Sequence, residues 1–336
     1  MSSGGSLPYH LRQNKSVDRE LFIDLLTRVN SKECNISEYQ YIGFGGPFME
    51  DFKIIHQKTK IKKMISVEKD DNVRKRQIYN KPVSCIDFDV GSESSTSFLE
   101  NYEFSEPSVV WLDFTNFDLY SQLGDFYNLL KKIPFNSIVK ITLNANPANL
   151  SVDNVELDED LPRHLALQNA RYSKLDECLG EFFSSSNIEP EEVTYKKFPM
   201  VLLKCLNRIR SRVTMEDESS LIVPLSAFVY SDGQQMLTAT AAIVDKNESS
   251  EFEDNPRIKS WQFYNEDWSS FINISLPVIS QKERLHIESM LPDSVPEEIL
   301  DSFDFYPSNS PKDAEDEIKN FVNYYRIFPW FGKFSL

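Results

Sequence analysis

Short apolar runs alternate with amphipathic stretches through the first half of this 336-residue chain. The apolar runs fall within residues 41–47, 64–68, 83–89, 109–116 and 137–147. Between them, apolar residues repeat at the three-to-four-residue spacing of helices. Strands that alternate with helices in this way predict an α/β fold, with a doubly wound, Rossmann-like parallel sheet.

A helix is predicted before the first strand, over residues 14–30. Its apolar face comprises Phe22, Ile23, Leu25, Leu26 and Val29. Ser16 has the side chain of an N-cap residue, and Glu20 lies near the reciprocal position of a capping box. We expect this helix to pack on the sheet, and residues 1–13 to be disordered.

The second half of the chain departs from this alternation. Residues 151–215 begin with an acidic tract and continue with helical patterns, which predicts a helical insertion or lid. Two β-rich runs, 221–230 and 234–244, flank Asp232 and Gly233, and an Asp-Gly pair between such runs indicates a hairpin. We expect this antiparallel hairpin to close the sheet.

The chain is predicted to divide after residue 246. Residues 14–246 would form the Rossmann-like domain, and the acidic stretch 247–256 has the composition of a linker. Residues 257–336 are predicted to form a helical C-terminal subdomain. Its apolar, aromatic end, residues 325–331, must be buried in the protein or in a protein partner.

Composition argues against several classes of function. The net charge of −16 is unfavourable for binding duplex nucleic acid, which requires positive potential. No apolar run approaches the ~20 residues of a membrane span, and the first residues lack the pattern of a signal peptide. The four cysteines and four histidines are scattered, without the spacing of a metal site. We therefore expect a cytoplasmic protein without a metal.

The first apolar run ends in a glycine-rich turn. Gly43, Gly45 and Gly46 supply three of the ten glycines of the chain, and glycine lets a ligand approach the backbone closely. The next strand ends at Glu68, a carboxylate that can accept hydrogen bonds from both hydroxyls of a ribose. This order predicts a nucleoside site; a tight turn with a purely structural role is the alternative.

Polar side chains also follow the later strands. Asp87 and Asp89 lie at the end of the third run, Asp113 ends the fourth and Asn144 ends the fifth. Because ligands of open α/β sheets bind beyond the carboxyl ends of the strands, these side chains are candidates for one site. The structural alternative for Asp113 is that it caps the following helix or braces the turn after its strand.

The order of these motifs resembles the class I S-adenosylmethionine (SAM) methyltransferases. The segments that carry the resemblance are GFGG, SVEKD, CIDFDV, VVWLDF and ITLNANP. More narrowly, NKSVDRELFIDLL and YIGFGGPFMEDFKIIH are similar to a group of bacterial O-methyltransferases of unknown substrate. The likeness is good over about residues 14–150 and loose beyond them.

The resemblance implies SAM as the cofactor, bound along the carboxyl edge of the sheet. The implied contacts are the methionine part with Gly43, Phe44, Gly45 and Gly46, the ribose with Glu68, and the adenine with Asp87 or Asp89. Asp113 and Asn144 are the candidates for positioning the methyl acceptor or removing its proton.

Two positions depart from the family pattern. Tyr41 replaces an acid, which leaves open how the methionine amino group is held, and Pro47 replaces a glycine but suits the first turn of a helix.

The predicted activity is SAM-dependent methyl transfer to an oxygen of a small-molecule or protein acceptor. The segment LDFTNF differs from the NPPY-type tetrapeptide of enzymes that methylate amino groups of DNA bases. The alternative is a non-catalytic nucleoside-binding or scaffolding protein that acts through a protein partner. Tyr41, the acidic C-terminal part and the aromatic end favour that alternative.

Overall fold

The structure is a computed structural model of the chain. It describes residues 12–31, 34–81, 86–88, 94–152, 158, 160–183, 188–247 and 255–328, with the backbone alone for 86–88. Most of the N-terminal segment expected to be disordered, residues 1–11, therefore lies outside the described residues.

Eight strands of the described chain form one sheet. Their bounds are Gln40–Gly43 (β1), Lys63–Ser66 (β2), Ile86–Phe88 (β3), Ser108–Asp113 (β4), Ser137–Asn144 (β5), Ser220–Ser231 (β6), Gln235–Asp245 (β7) and Ile272–Ile274 (β8). Their order is β3-β2-β1-β4-β5-β7-β6-β8. The first five strands are parallel, whereas β7 is antiparallel to β5 and β6. The predicted doubly wound sheet and its closing hairpin are confirmed.

Helices cover both faces of this sheet. Their bounds are Gln13–Val29 (α1), Glu50–Thr59 (α2), Asp71–Asn80 (α3), Ser95–Asn101 (α4), Leu119–Lys132 (α5), Arg163–Leu179 (α6), Phe198–Glu216 (α7), Pro256–Lys259 (α8), Gln281–Met290 (α9), Pro296–Asp301 (α10) and Pro311–Tyr324 (α11). Apolar residues of α1 and α2 pack on one face, and those of α4, α5 and α7 pack on the other.

The two central strands are buried along their whole length. Every residue of β4 and of β5 is buried, because helices cover both faces of the sheet. This burial explains why the two sequences are nearly continuous apolar runs rather than alternating ones. It also places Lys140, in the middle of β5, in the protein interior.

Helix α1 begins earlier than the sequence predicted. It starts at Gln13, and the side chain of its N-cap residue, Arg12, does not cap the helix. Instead, the carboxylate of Asp232, in the β6–β7 turn, accepts hydrogen bonds from the backbone N–H groups of Asn14 (3.3 Å) and Lys15 (2.8 Å). A negative charge at this position also interacts favourably with the helix dipole. The predicted cap at Ser16 is therefore wrong, since Ser16 lies inside the helix.

Two long helices, α6 and α7, occupy much of the predicted insertion. Residues 198–209, for which the pattern allowed either a helix or a strand, belong to α7. The apolar side of this helix includes Phe198, Leu202 and Leu206, which pack in the same core as α5. α7 is thus part of the helical layer that covers the sheet.

The C-terminal residues pack on the face that carries α1. Ile258, Ile287 and Ile318 share a hydrophobic cluster with residues of α1 and α2, and β8 pairs in parallel with β6. Phe328 is buried, and its carbonyl accepts a hydrogen bond from Arg284 (2.9 Å). The aromatic end is therefore buried in the protein itself at Phe328, and its continuation lies outside the described residues.

Candidate active site at the carboxyl edge

Four predicted site residues lie at the carboxyl edge of the sheet. β1 ends at Gly43, β4 at Asp113 and β5 at Asn144, and Glu68 follows the last residue of β2 by two positions. β1 lies between β2 and β4, so the connections that leave β1 and β4 extend the sheet in opposite directions. Ligands of open α/β sheets bind at such a switch point.

The turn after β1 is tightly packed against the protein itself. A Cβ atom at Gly43 would lie 2.6 Å from the hydroxyl oxygen of Tyr41, so no larger residue fits there without movement. Gly46 has a φ of 51°, a conformation that favours glycine. The amide of Gly45 donates a hydrogen bond to the hydroxyl of Ser66 at the end of β2 (3.3 Å). Packing thus requires glycines here, whether or not a ligand also approaches the turn.

Replacing Gly45 with Ala is expected to destabilise the protein. A Cβ atom there would lie 2.6 Å from the sulfur of Met49 and 2.8 Å from the ring of Phe52. Relieving such overpacking typically costs about 1–3 kcal/mol of the free energy of unfolding, which urea denaturation measures. Gly124, inside α5, has open space around it, so Gly124→Ala is the matched control and should stabilise by about 0.5–1 kcal/mol. Equal effects of the two substitutions would contradict this account of the turn.

The segment after the turn differs from the prediction. α2 begins at Glu50, and the residue before it, Met49, has a left-handed φ of 57°. Pro47 therefore precedes the helix and is not in its first turn, so the prediction for Pro47 is wrong. The carbonyl of Pro47 instead accepts a hydrogen bond from the side chain of Asn80 (2.8 Å), which ties the turn to the end of α3.

Glu68 lies half-buried beside this turn. The backbone N–H of Val67 donates to the carbonyl of Gly43 (3.0 Å), which holds the two strand ends together. One carboxylate oxygen of Glu68 accepts a hydrogen bond from the backbone N–H of Asp70 (2.8 Å). Burial raises the pKa of Glu68 above its usual value, although that hydrogen bond opposes the shift. A carboxylate held in this way suits the two hydroxyls of a ribose.

A small, mainly apolar cavity lies between α4 and the ends of β1, β2 and β4. Its volume is about 10 Å³, and the residues that line it include Gly43, Phe44, Val67, Ser95 and Phe98. The rings of Phe44 and Phe114 meet edge to face, with their centroids 5.4 Å apart. The cavity has room for about one water molecule, so an adenine ring would enter only if its walls moved apart.

The two acids predicted for the adenine lie at the third strand. Asp87 belongs to β3, where its backbone pairs with Ile65 of β2; its side chain is outside the described part of the chain. Asp89 lies outside the described residues altogether. A contact between either acid and an adenine stays a prediction.

Asp113 forms a buried ion pair that the sequence analysis missed. Its Oδ2 atom lies 2.6 Å from Nζ of Lys15 in α1, and both side chains are 4% exposed. The cap of α5 is Asp118, whose carboxylate accepts a hydrogen bond from the backbone N–H of Ser121. The capping alternative for Asp113 is therefore wrong, and its neighbour is α1. Its predicted role at the acceptor stays a prediction.

Helix α1 carries two further buried ion pairs. Arg19 pairs with Asp51 at the start of α2, and Asp18 pairs with Lys140 of β5, with 2.8 Å between Oδ2 and Nζ. Lys15, Asp18 and Arg19 are spaced i, i+3 and i+4, so they lie on one side of the helix. Because that side is buried, each charge requires a partner. Their shared side, with a lysine in the apolar run of β5, is the sequence feature that could have pointed to these pairs, although spacing alone does not show that this side is buried.

Asn144 braces the loop that follows β5. Its Oδ1 atom accepts hydrogen bonds from the backbone N–H of Asn146 (3.0 Å) and from the side-chain amide of Asn149 (3.0 Å). Asn144 itself is buried. The amide is therefore fixed at the carboxyl edge, and its predicted role in acceptor positioning stays a prediction.

The described residues contain no group of three or more His, Cys, Asp or Glu side chains that could hold a metal ion. Within the same part of the chain, no helix has the length and apolar character needed to cross a membrane.

Comparison with known families assigns the chain to one of them. A family model described as "Putative O-methyltransferase" matches residues 7–336. The chain belongs to this family. Membership confirms the resemblance to O-methyltransferases and makes SAM-dependent methylation, with SAM as the cofactor, the activity of the family to which the chain belongs. No curated protein sequence matches the chain.

Solved structures of several methyltransferases are similar to this family member at low sequence identity. Trm1 from Pyrococcus horikoshii, in complex with SAM, is 10% identical, with 70% of this chain and 57% of Trm1 covered and a TM-score of 0.45. The Bacillus cereus O-methyltransferase, in complex with SAH, is 10% identical, with 72% and 86% covered and a TM-score of 0.38. The N-methyltransferase NodS from Bradyrhizobium japonicum WM9 is 10% identical, with 68% and 97% covered and a TM-score of 0.35.

Proposed function

We propose that this methyltransferase is catalytically active and binds SAM across the ends of β1, β2 and β4. The observation that carries the proposal is the position of Glu68. Its half-buried carboxylate is fixed at the switch point of the sheet, beside the turn that begins at Gly43. The mainly apolar lining of the neighbouring cavity suits an adenine ring once the walls separate. These residues therefore fit the nucleoside part of the cofactor.

SAM supplies an electrophilic methyl group, and its transfer to an oxygen is an in-line displacement that depends mainly on positioning. In this proposal Glu68 holds the ribose, and Asp87 or Asp89 meets the adenine. The turn of Gly43, Phe44, Gly45 and Gly46 lies against the methionine part.

The acceptor is proposed to approach from the ends of β4 and β5. Asn144 is held rigidly by its loop hydrogen bonds, which suits a residue that positions a substrate. A base is required only if the acceptor oxygen must lose a proton. Asp113, the other acceptor-side candidate, already uses one carboxylate oxygen for Lys15.

The proposed acceptor is a small molecule or a protein with a reactive hydroxyl or carboxyl oxygen. A duplex nucleic acid is a poor match, because the net charge of −16 repels phosphates and binding to DNA depends on neutralising them. A cytoplasmic location is part of this proposal.

The second candidate function is a non-catalytic protein that binds a nucleoside and acts through a protein partner. Tyr41 favours it, because a fully buried tyrosine stands where the family resemblance implies an acid. If no other acid took over that contact, the cofactor would be held poorly for transfer.

A labelled-SAM experiment separates the two functions. The purified protein is incubated with methyl-labelled SAM and a pool of small metabolites, and in parallel with cell protein extract. The proposed enzyme transfers label to an oxygen of at least one acceptor. A protein that retains SAM through purification but labels nothing in either pool would favour the non-catalytic function, and one that binds no SAM would contradict the proposed enzyme.

A further inference from the structure

The amino-acid end of SAM needs a recognition site of its own. This end carries an ammonium and a carboxylate, whereas Glu68 accounts only for the ribose. A charge that docks against a protein must be paired, since an unpaired buried charge is costly. The family resemblance implies an acid at position 41, but this chain has a tyrosine there. If the chain binds SAM as proposed above, another group must take the place of that acid.

Tyr41 cannot supply the missing negative charge. Its side chain is 1% exposed and packs edge to face on Phe52, with 4.9 Å between ring centroids. Burial, and then the negative charges of Asp51 and Asp113, hold the pKa of Tyr41 well above its usual value. Its hydroxyl is therefore neutral at physiological pH, and it fills the space beneath Gly43.

Asp113 has a carboxylate oxygen that lacks a donor. Oδ2 is held by Lys15 at 2.6 Å, whereas Oδ1 is buried and accepts no hydrogen bond from the described part of the chain. Asp113 as a whole is only 6% exposed. Leaving a buried charged acceptor unsatisfied is costly, and such a group in a native protein calls for a partner. A ligand with a cationic donor would provide one.

The sheet register places this oxygen near the turn. Gly43 of β1 pairs with Trp111 of β4, so Asp113 extends two residues farther toward the carboxyl edge than Gly43 does. Glu68 follows β2, on the other side of β1. A ligand that crosses the turn from β2 to β4 therefore has Glu68 at one end and Asp113 at the other.

We propose that Asp113 and Lys15 form the subsite for the amino-acid end of SAM. Oδ1 of Asp113 accepts a hydrogen bond from the α-ammonium, in place of the acid implied at position 41. Lys15 is a positioning residue that fixes Asp113 through Oδ2. Asp113 is thereby assigned to cofactor binding, which differs from the role at the acceptor that its strand-end position predicted.

The test compares two ligands that differ only at this end. S-adenosylhomocysteine has the amino-acid group, whereas 5′-methylthioadenosine keeps the nucleoside and thioether but lacks it. Calorimetry with Asp113→Asn should show an affinity loss of about tenfold or more for S-adenosylhomocysteine and no change for 5′-methylthioadenosine. Glu68→Gln is the control, because the ribose is common to both ligands and both affinities should fall.

A second variant keeps the test valid if Asp113→Asn folds poorly. Lys15→Met combined with Asp113→Leu removes both charges, and replacing a whole buried pair is often tolerated. It should show the same selective loss. Equal changes for the two ligands, or unchanged affinity for S-adenosylhomocysteine, would overturn the inference. Wild-type protein that binds neither ligand would instead overturn the proposed function, and the inference with it.

Discussion

Replacing Lys140 with Met should lower the free energy of unfolding by about 3–5 kcal/mol, the usual cost of removing one partner from a buried ion pair. Lys140 is 1% exposed and Asp18 is fully buried, with 2.8 Å between their charged atoms. Thr238 also donates a hydrogen bond to Asp18 (2.8 Å). Without the lysine, Asp18 keeps that hydrogen bond but loses the ammonium that pairs with it, so a buried negative charge is left without its partner.

Contacts of the Lys140 ammonium with two aromatic rings add to this cost. The ammonium of Lys140 lies 4.4 Å from the ring centroid of Trp111 and 4.9 Å from that of Phe22, which are cation–π contacts. Burial lowers the pKa of Lys140, and Asp18 opposes that shift, so the ion pair is what keeps the charge in place.

Urea denaturation measures the effect, with two controls. Lys174→Met breaks an exposed pair with Glu177 and should cost less than about 1 kcal/mol. Lys140→Met combined with Asp18→Leu removes both charges and should recover much of the lost stability, because no lone charge remains. A Lys140→Met protein as stable as the wild type would show that this pair does not hold α1 on the sheet.

Replacing Glu68 with Gln should weaken SAM binding by about tenfold to a hundredfold, or about 1.5–3 kcal/mol for a lost charged hydrogen-bonding partner. Gln has nearly the same shape, so the hydrogen bond from Asp70 (2.8 Å) can be kept. The substitution therefore removes the charge that serves the ribose while changing the loop little.

Calorimetric titration of SAM measures this effect. Asp71→Asn is the matched control, since Asp71 is an exposed acid in the first turn of α3 that pairs with Arg74 and Lys75. Its substitution should leave the affinity unchanged. Wild-type affinity in a folded Glu68→Gln protein would remove Glu68 from the cofactor site.

The sheet was predictable because its signals are local. Buried strands such as β4 and β5 are apolar along their length, and the hairpin carries its Asp-Gly turn between two β-rich runs. Parallel strands align their carboxyl ends, so the acids and amides that follow them were expected at one edge. The structure has Glu68, Asp113 and Asn144 there.

The contacts of α1 were not predictable in the same way. Its charged residues look like a solvated helix face when read alone, and their partners are far away in sequence. Lys15 bonds to Asp113, 98 residues away, and Asp18 bonds to Thr238, 220 residues away. The cap of α1 likewise comes from Asp232, 217 residues beyond Lys15. Only the tertiary structure shows that this face is buried.

The glycine turn was also only partly predictable from the sequence. The sequence indicated that glycine was needed, but not whether a ligand or the protein required it. The structure shows that Tyr41 lies beneath Gly43, and that Met49 and Phe52 lie beneath Gly45. These side chains come from the same local segment, but their packing depends on how β1 meets α2.

The central claim is that SAM binds at the carboxyl edge beside Glu68. Calorimetric titration of SAM into the purified wild-type chain, repeated with S-adenosylhomocysteine already bound, tests it most directly. The account predicts saturable binding at a single site per chain, which S-adenosylhomocysteine abolishes by competition. Absence of binding at millimolar SAM, or binding that S-adenosylhomocysteine leaves unchanged, would contradict it.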